Sequence, residues 1–268
     1  MMASTATDIT RQAPLPHVEA MRLQAAELDR TLEVLRTLDD AAWRAPTDCP
    51  AWDVHRMYLH VLGACEAAAS MKENLHQMRA AKRHQKTDGG PLEAGLSTVQ
   101  VRERIDLTPA ALVERLSAVA PIAVRKRTRM PALMRRMKMN VDGPVIETWR
   151  LGYLVDTIYL RDLWMHRVDL ARATGNDLLL GPEHDGRIVA DVVAEWARRH
   201  GEPFTLALTG VAGGTFTSSG STASPPTASS ADDTSTSADP IEMDAVEFCR
   251  TLAGRADGTG LLRTVVPF

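Results

Sequence analysis

Arg161-Asp-Leu-Trp-Met-His-Arg-Val-Asp-Leu170 carries an acid and a histidine four positions apart, Asp162 and His166, in a run with helical periodicity. At 3.6 residues per turn the two side chains leave one face of a helix, one turn apart. A carboxylate and an imidazole so placed can chelate one divalent cation. The helix that holds them is expected over residues 145–174, with Gly175 as the residue that closes it. Spacing alone also allows a plain ion-pair pattern, because Arg161, Arg167 and Asp169 stand nearby.

A third ligand has to come from elsewhere in the chain, and His60 is the best placed. It sits mid-helix among Val54, Met57, Tyr58, Val61 and Leu62, with the small residues Gly63 and Ala64 one turn on to leave room for a ligand. Two histidines and one carboxylate form a borderline donor set suited to zinc, with iron or nickel as alternatives. Three protein ligands leave at least one coordination position open, as a catalytic ion requires. A histidine such as His60 also occurs simply as a hydrogen-bonded core residue, and spacing by itself does not separate the two.

Working outward, apolar residues at threes and fours predict a helix over 16–40 through Leu23, Leu28, Leu32, Leu35 and Leu38. Prolines at 46 and 50 break it, and Asp53 starts a second helix as N-cap, expected to run to about residue 86. Thr108 followed by Pro109 opens a third, through Leu112 and Leu116 to about residue 124. Residues 125–140 are basic and methionine-rich. A charge run of this kind reads as a solvated loop or helix edge, with a lid or anionic-ligand contact as the alternative. A helix over 182–200 ends at Gly201.

Beyond Gly201 the character changes. Strands are expected at 204–210 and 214–217, a helix at 242–256 and a closing strand at 261–266. Residues 218–239, almost all Ser, Thr, Ala, Pro and Asp, are expected to form a disordered loop. The expected organisation is therefore mainly α: a disordered lead-in at 1–15, a helical bundle at 16–201 and a small α+β domain at 202–268.

Composition sets outer bounds. The 268 residues are 44% hydrophobic and 24% charged with a net charge of −3, ordinary for a globular chain and without attraction for nucleic acid. No apolar run approaches the ~20 residues that span a bilayer, and no secretory signal opens the chain. Three widely spaced cysteines, Cys49, Cys65 and Cys249, argue against a disulfide framework, so a reducing cytoplasm is expected.

Thr47-Asp-Cys-Pro-Ala-Trp-Asp-Val54 leading to His60 resembles the entry to the second bundle helix in mycothiol-dependent maleylpyruvate isomerase-like proteins, of the DinB-like metalloenzyme superfamily. The 161–170 stretch resembles their second metal-ligand segment, and Phe248-Cys-Arg-Thr-Leu-Ala-Gly-Arg255 with Val265-Val-Pro-Phe268 is similar to their C-terminal domain. The resemblance implies a DinB-like four-helix bundle holding one zinc-like ion, a small α+β domain, and use of the low-molecular-weight thiol mycothiol. Where the characterised isomerase pattern has Glu, this chain has Asp162, one methylene shorter. The implied activity is isomerisation by a metal-activated thiolate that adds to a cis double bond, lets it rotate and is expelled, or else S-transfer to a small electrophile. Arg255 is the candidate clamp for a carboxylate, since a guanidinium offers two parallel donors. A metal-dependent hydrolase on the same bundle and a non-catalytic bundle that binds a small ligand or partner are the alternatives. Oligomeric state is left open by the sequence.

Overall fold

The computed structural model describes residues 6–142, 146–220 and 240–268. In chain order they form strand β1 (Thr7–Asp8) and helices α1 (His17–Leu35), α2 (Asp40–Trp43), α3 (Val54–Ala69), α4 (Met71–Asp88), α5 (Leu92–Arg102), α6 (Pro109–Thr128) and α7 (Ala132–Arg135). Strands β2 (Lys138–Asp142) and β3 (Ile146–Arg150) precede α8 (Leu151–Tyr153), a π-helical turn at Leu154–Ile158 and α9 (Tyr159–Thr174). Then come a second π-helical turn at Pro182–Gly186, α10 (Arg187–His200), β4 (Phe204–Thr209), β5 (Gly214–Ser218), β6 (Ile241–Asp244) and α11 (Ala245–Leu252).

Two compact units divide the chain: residues 15–178 with Phe268, and the chain up to Pro14 with residues 179–267. In the first, α1, α6, α3 and α9 pack in a closed ring of neighbours, α1 on α6, α6 on α3, α3 on α9 and α9 on α1, which is a four-helix bundle. Its core takes Leu28, Leu32 and Leu35 from α1, Met57, Tyr58, Val61 and Leu62 from α3, Leu112 and Leu116 from α6, and Leu163 and Leu170 from α9. Each such side chain contributes about 1.5–3 kcal/mol through removal from water. The local signals explain where the helices begin and end. The Asp53 carboxylate accepts from Arg56 N at 2.8 Å, Thr108 Oγ1 accepts from Ala111 N at 3.2 Å, and Gly175 ends α9 with φ 70°.

Several expectations are corrected. The helix begun at Asp53 does not run to residue 86. Ser70 is extended, and its hydroxyl accepts from Glu73 N, so one cap ends α3 and starts α4. Helix α5, unassigned in the sequence, packs on α3 so closely that a Cβ on Gly63 would lie 2.6 Å from Gln100 Cγ. Gly63 therefore makes room for a helix and not for a ligand. The helix expected from residue 145 begins only at Leu151. Ile146–Arg150 instead alternates in exposure and pairs antiparallel with β2, Lys138 opposite Arg150. The basic segment is distributed over the last turn of α6, α7 and the start of β2.

In the second unit a four-stranded sheet has the order β1-β5-β4-β6, with β4 and β5 antiparallel and the two edge strands parallel to their neighbours. The unit boundary departs from the expected one at residue 201. Helix α10 groups with this sheet because Trp196 packs edge-on against Phe248, with centroids 5.3 Å apart, and against Phe204 at 4.8 Å. Thr7–Asp8, expected in a disordered lead-in, pairs with Phe216 and Thr217. The closing strand is replaced by a 3-10 turn at Gly260–Arg263, after which Val266 N donates to Leu252 O at 3.1 Å. Most of the expected Ser/Thr-rich loop, residues 221–239, lies outside the described residues. Among the described residues, no helix is long and apolar enough to cross a membrane.

Candidate metal centre

Helices α3 and α9 bring the site together. His60 stands midway along α3, and Asp162 and His166 lie one turn apart on α9. The Tyr58 hydroxyl donates to the His166 carbonyl at 3.3 Å and ties the two helices at this level. His166 Nε2 lies 3.2 Å from Asp162 Oδ1, and His60 Nε2 lies 3.8 Å from Asp162 Oδ2. The three potential ligand atoms lie within 4.8 Å of one another. The two imidazole centroids are 5.6 Å apart with planes 82° to each other.

These residues fit a divalent ion. Tetrahedral bonds of about 2.1 Å place neighbouring ligand atoms roughly 3.4 Å apart; each imidazole lies near that distance from a different oxygen of Asp162, 3.2 Å to Oδ1 and 3.8 Å to Oδ2. His166 Nε2 is buried and near the Asp162 carboxylate, yet it makes no hydrogen bond. A buried polar atom left so is costly unless something else satisfies it. The Asp162 side chain retains 29% of its exposure against 4% for His166, so the site has an open side.

Electrostatics at the site are strongly coupled. Burial pushes the Asp162 carboxyl up, but the neighbouring His166 and His60 outweigh it and hold Asp162 well below the usual carboxylate range. Burial pushes the His166 imidazole down, and the carboxylate of Asp162, with Asp169 and Cys49, reverses this and raises it well above 6.5.

The loop before α3 supplies a layer that surrounds these residues. Thr47 accepts from Cys49 N at 3.1 Å and donates to the Trp52 carbonyl at 2.8 Å, closing the turn in Thr47-Asp-Cys-Pro-Ala-Trp52. That turn stacks Trp52 on His60, with centroids 5.1 Å apart and planes 30° from parallel. It also places the Cys49 thiol to donate to Asp169 Oδ2 at 3.7 Å. Asp169, fully buried, lies with the same oxygen 3.5 Å from His166 Nδ1. An acid three residues after a histidine on a helix is the signal that could have identified it, since metal-bound imidazoles commonly orient their second nitrogen on a carboxylate. Cys49, His166 and Asp169 also form a trio with ligand-like spacing, but Asp169 is sealed from solvent and leaves no open position there. Arg255 belongs to the other compact unit, half-buried behind Gly254 at φ 75°, with its backbone N–H donating to Arg250 O at 2.9 Å.

Residues 24–171, more than half of the chain, match the model for the mycothiol maleylpyruvate isomerase N-terminal domain. The chain belongs to the mycothiol maleylpyruvate isomerase family. As a member of that family it carries His60, Asp162 and His166 all within the matched span. Its fold is likewise similar to a solved mycothiol-dependent maleylpyruvate isomerase, at 15% identity and a TM-score of 0.54 over 94% of each chain. A histidine-to-alanine mutant of a mycothiol-dependent maleylpyruvate isomerase is similar at 14% identity and a TM-score of 0.52, over 93% of this chain and 92% of that one. No curated protein sequence gives a match. At such identities the likeness carries the DinB-like helical fold.

Proposed function

We propose that this family member is a cytoplasmic, mycothiol-dependent metalloenzyme whose divalent ion, zinc by donor preference, is held by His60, Asp162 and His166. The carrying observation is the convergence of two imidazoles on one carboxylate, with His166 Nε2 buried and free of any hydrogen bond. When bound, the ion supplies Lewis-acid chemistry: it lowers the pKa of a coordinated thiol toward neutrality, as cis-to-trans isomerisation by reversible addition or an S-transfer requires. The protein's own part is positioning. Trp52 fixes the His60 ring by stacking, and Asp169 orients His166. In this reading the three ligands are not acid–base groups.

The substrate class is a small electrophile of the maleylpyruvate type. Cytoplasmic residence is supported by three free cysteines, two of them buried, and no disulfide among the described residues.

The test is turnover of maleylpyruvate by zinc-loaded protein with and without mycothiol, followed by loss of the cis isomer. Isomerisation that needs both thiol and metal supports the proposal. Hydrolytic turnover without thiol would instead make the protein a metal-dependent hydrolase, and no turnover of any electrophile would make it a binding bundle.

A further inference from the structure

Two buried guanidiniums of the bundle have carboxylate partners: Arg104, 5% exposed, pairs with Glu66 and Glu73, and Arg167, 4% exposed, pairs with Glu27. Arg127, in the last turn of α6, has a different environment. It is 4% exposed, its Nη1 donates to the neutral Gln24 Oε1 at 3.2 Å, and its Cζ lies 4.2 Å over the Tyr159 ring. Its Nε is buried with no partner, and no described carboxylate pairs with it. A buried charge held only by an amide and an aromatic face is unfavourable until a counter-charge arrives.

Its neighbours place it beside the metal centre. Tyr159 precedes Asp162 by three positions on α9, so the two share a face one turn apart. The carbonyl that accepts from Gln24 Nε2, at 2.6 Å, belongs to Val155 in the π-helical turn just before α9. The irregular turn thus holds the glutamine that holds the arginine. Arg127 also accounts for part of the basic 125–140 run, since it points inward where a solvated edge is the default.

We propose that Arg127 binds a carboxylate of the electrophilic substrate about one helical turn from the His60–Asp162–His166 site. The inference rests on the metal reading for where the substrate sits, and it makes a carboxylate on the electrophile a specificity requirement. The unused Nε–H, with a neighbouring Nη–H, offers the parallel donor pair that a carboxylate accepts.

The experiment is calorimetric titration of maleate, a small cis-dicarboxylate, into zinc-loaded wild type and Arg127→Met, with zinc content measured on both. Wild type is expected to bind maleate. Arg127→Met is expected to bind it about tenfold or more weakly, the size of a lost charge-assisted contact, at unchanged zinc content. Equal maleate affinity in the two proteins, or no binding to wild type, would overturn the assignment. Should wild type hold no zinc yet bind maleate in an Arg127-dependent way, the metal reading fails and the arginine assignment stands. If Arg127→Met does not fold, Arg127→Lys decides. It keeps the charge but loses the paired donors, so unchanged maleate affinity overturns the proposal and weakened affinity supports it.

Discussion

Trp52 lies stacked on His60, its ring centroid 5.1 Å from the imidazole and its plane 30° from parallel. The contact holds a proposed ligand in place through a residue that precedes its helix. Trp52→Ala is expected to lower zinc affinity about 10–100-fold, the usual effect of losing a group that orients a ligand, while Trp52→Phe keeps most of it. Competition with a chromogenic chelator measures both.

The carboxylate behind His166 acts in the same sense. Asp169→Asn leaves the side-chain volume unchanged but removes the charge 3.5 Å from His166 Nδ1. Zinc affinity is expected to fall about 10–100-fold with helix content retained by circular dichroism. Unchanged affinity would show that Asp169 is only a packing group.

Asp162 supplies the carboxylate of the proposed ligand set. If the carboxylate is the ligand, as proposed, Asp162→Glu is expected to retain zinc and Asp162→Ala to lose it. Elemental analysis after dialysis distinguishes the two outcomes.

Protonation of the metal-free site follows from the opposed shifts of its acid and base. His166 is raised, so its contribution to stability is complete below about pH 6.5 and is lost as pH rises through the higher folded value. Asp162 is lowered, so its contribution is present above about pH 3.8 and is lost as pH falls through the lower folded value. The Tm of metal-free protein is therefore expected to be highest between these limits and to decline on the alkaline side as His166 deprotonates. Zinc must displace the His166 proton, so affinity is expected to rise with pH over the same alkaline range. Calorimetry in buffers of different ionisation enthalpy reads the released proton.

Glu27 on α1, fully buried, neutralises Arg167 on α9, the residue next to His166. Glu27→Ala leaves a buried guanidinium short of a carboxylate and is expected to destabilise the bundle by about 3–5 kcal/mol in chemical denaturation. Glu27→Gln is expected to lose less, because it keeps the shape and one acceptor.

Much of this site was legible in the chain because helical spacing is local. Asp162 and His166 share a face by periodicity alone, and Asp53 and Thr108 cap their helices as their side chains dictate. His60 was reachable only through its position in α3 and the family resemblance, since nothing local fixes which helices meet. The misses have a common cause. Ser70 could sit inside a helix or cap one, and only the packing of α4 against α3 and α5 selects the cap. Ile146–Arg150 became a strand because β2 offers a partner, which no window of residues reveals. Arg127 looked like one of many solvated basic residues, and its burial against Tyr159 follows from the closing of the bundle.

The central claim is that one cation is shared by His60, Asp162 and His166. Metal analysis of zinc-loaded, dialysed wild type beside His60→Ala and His166→Ala, all shown folded by circular dichroism, tests it most directly. Near-stoichiometric zinc in wild type and little or none in either variant is the predicted result. A wild type that comes through dialysis empty, or variants that keep as much zinc as wild type, would contradict the account.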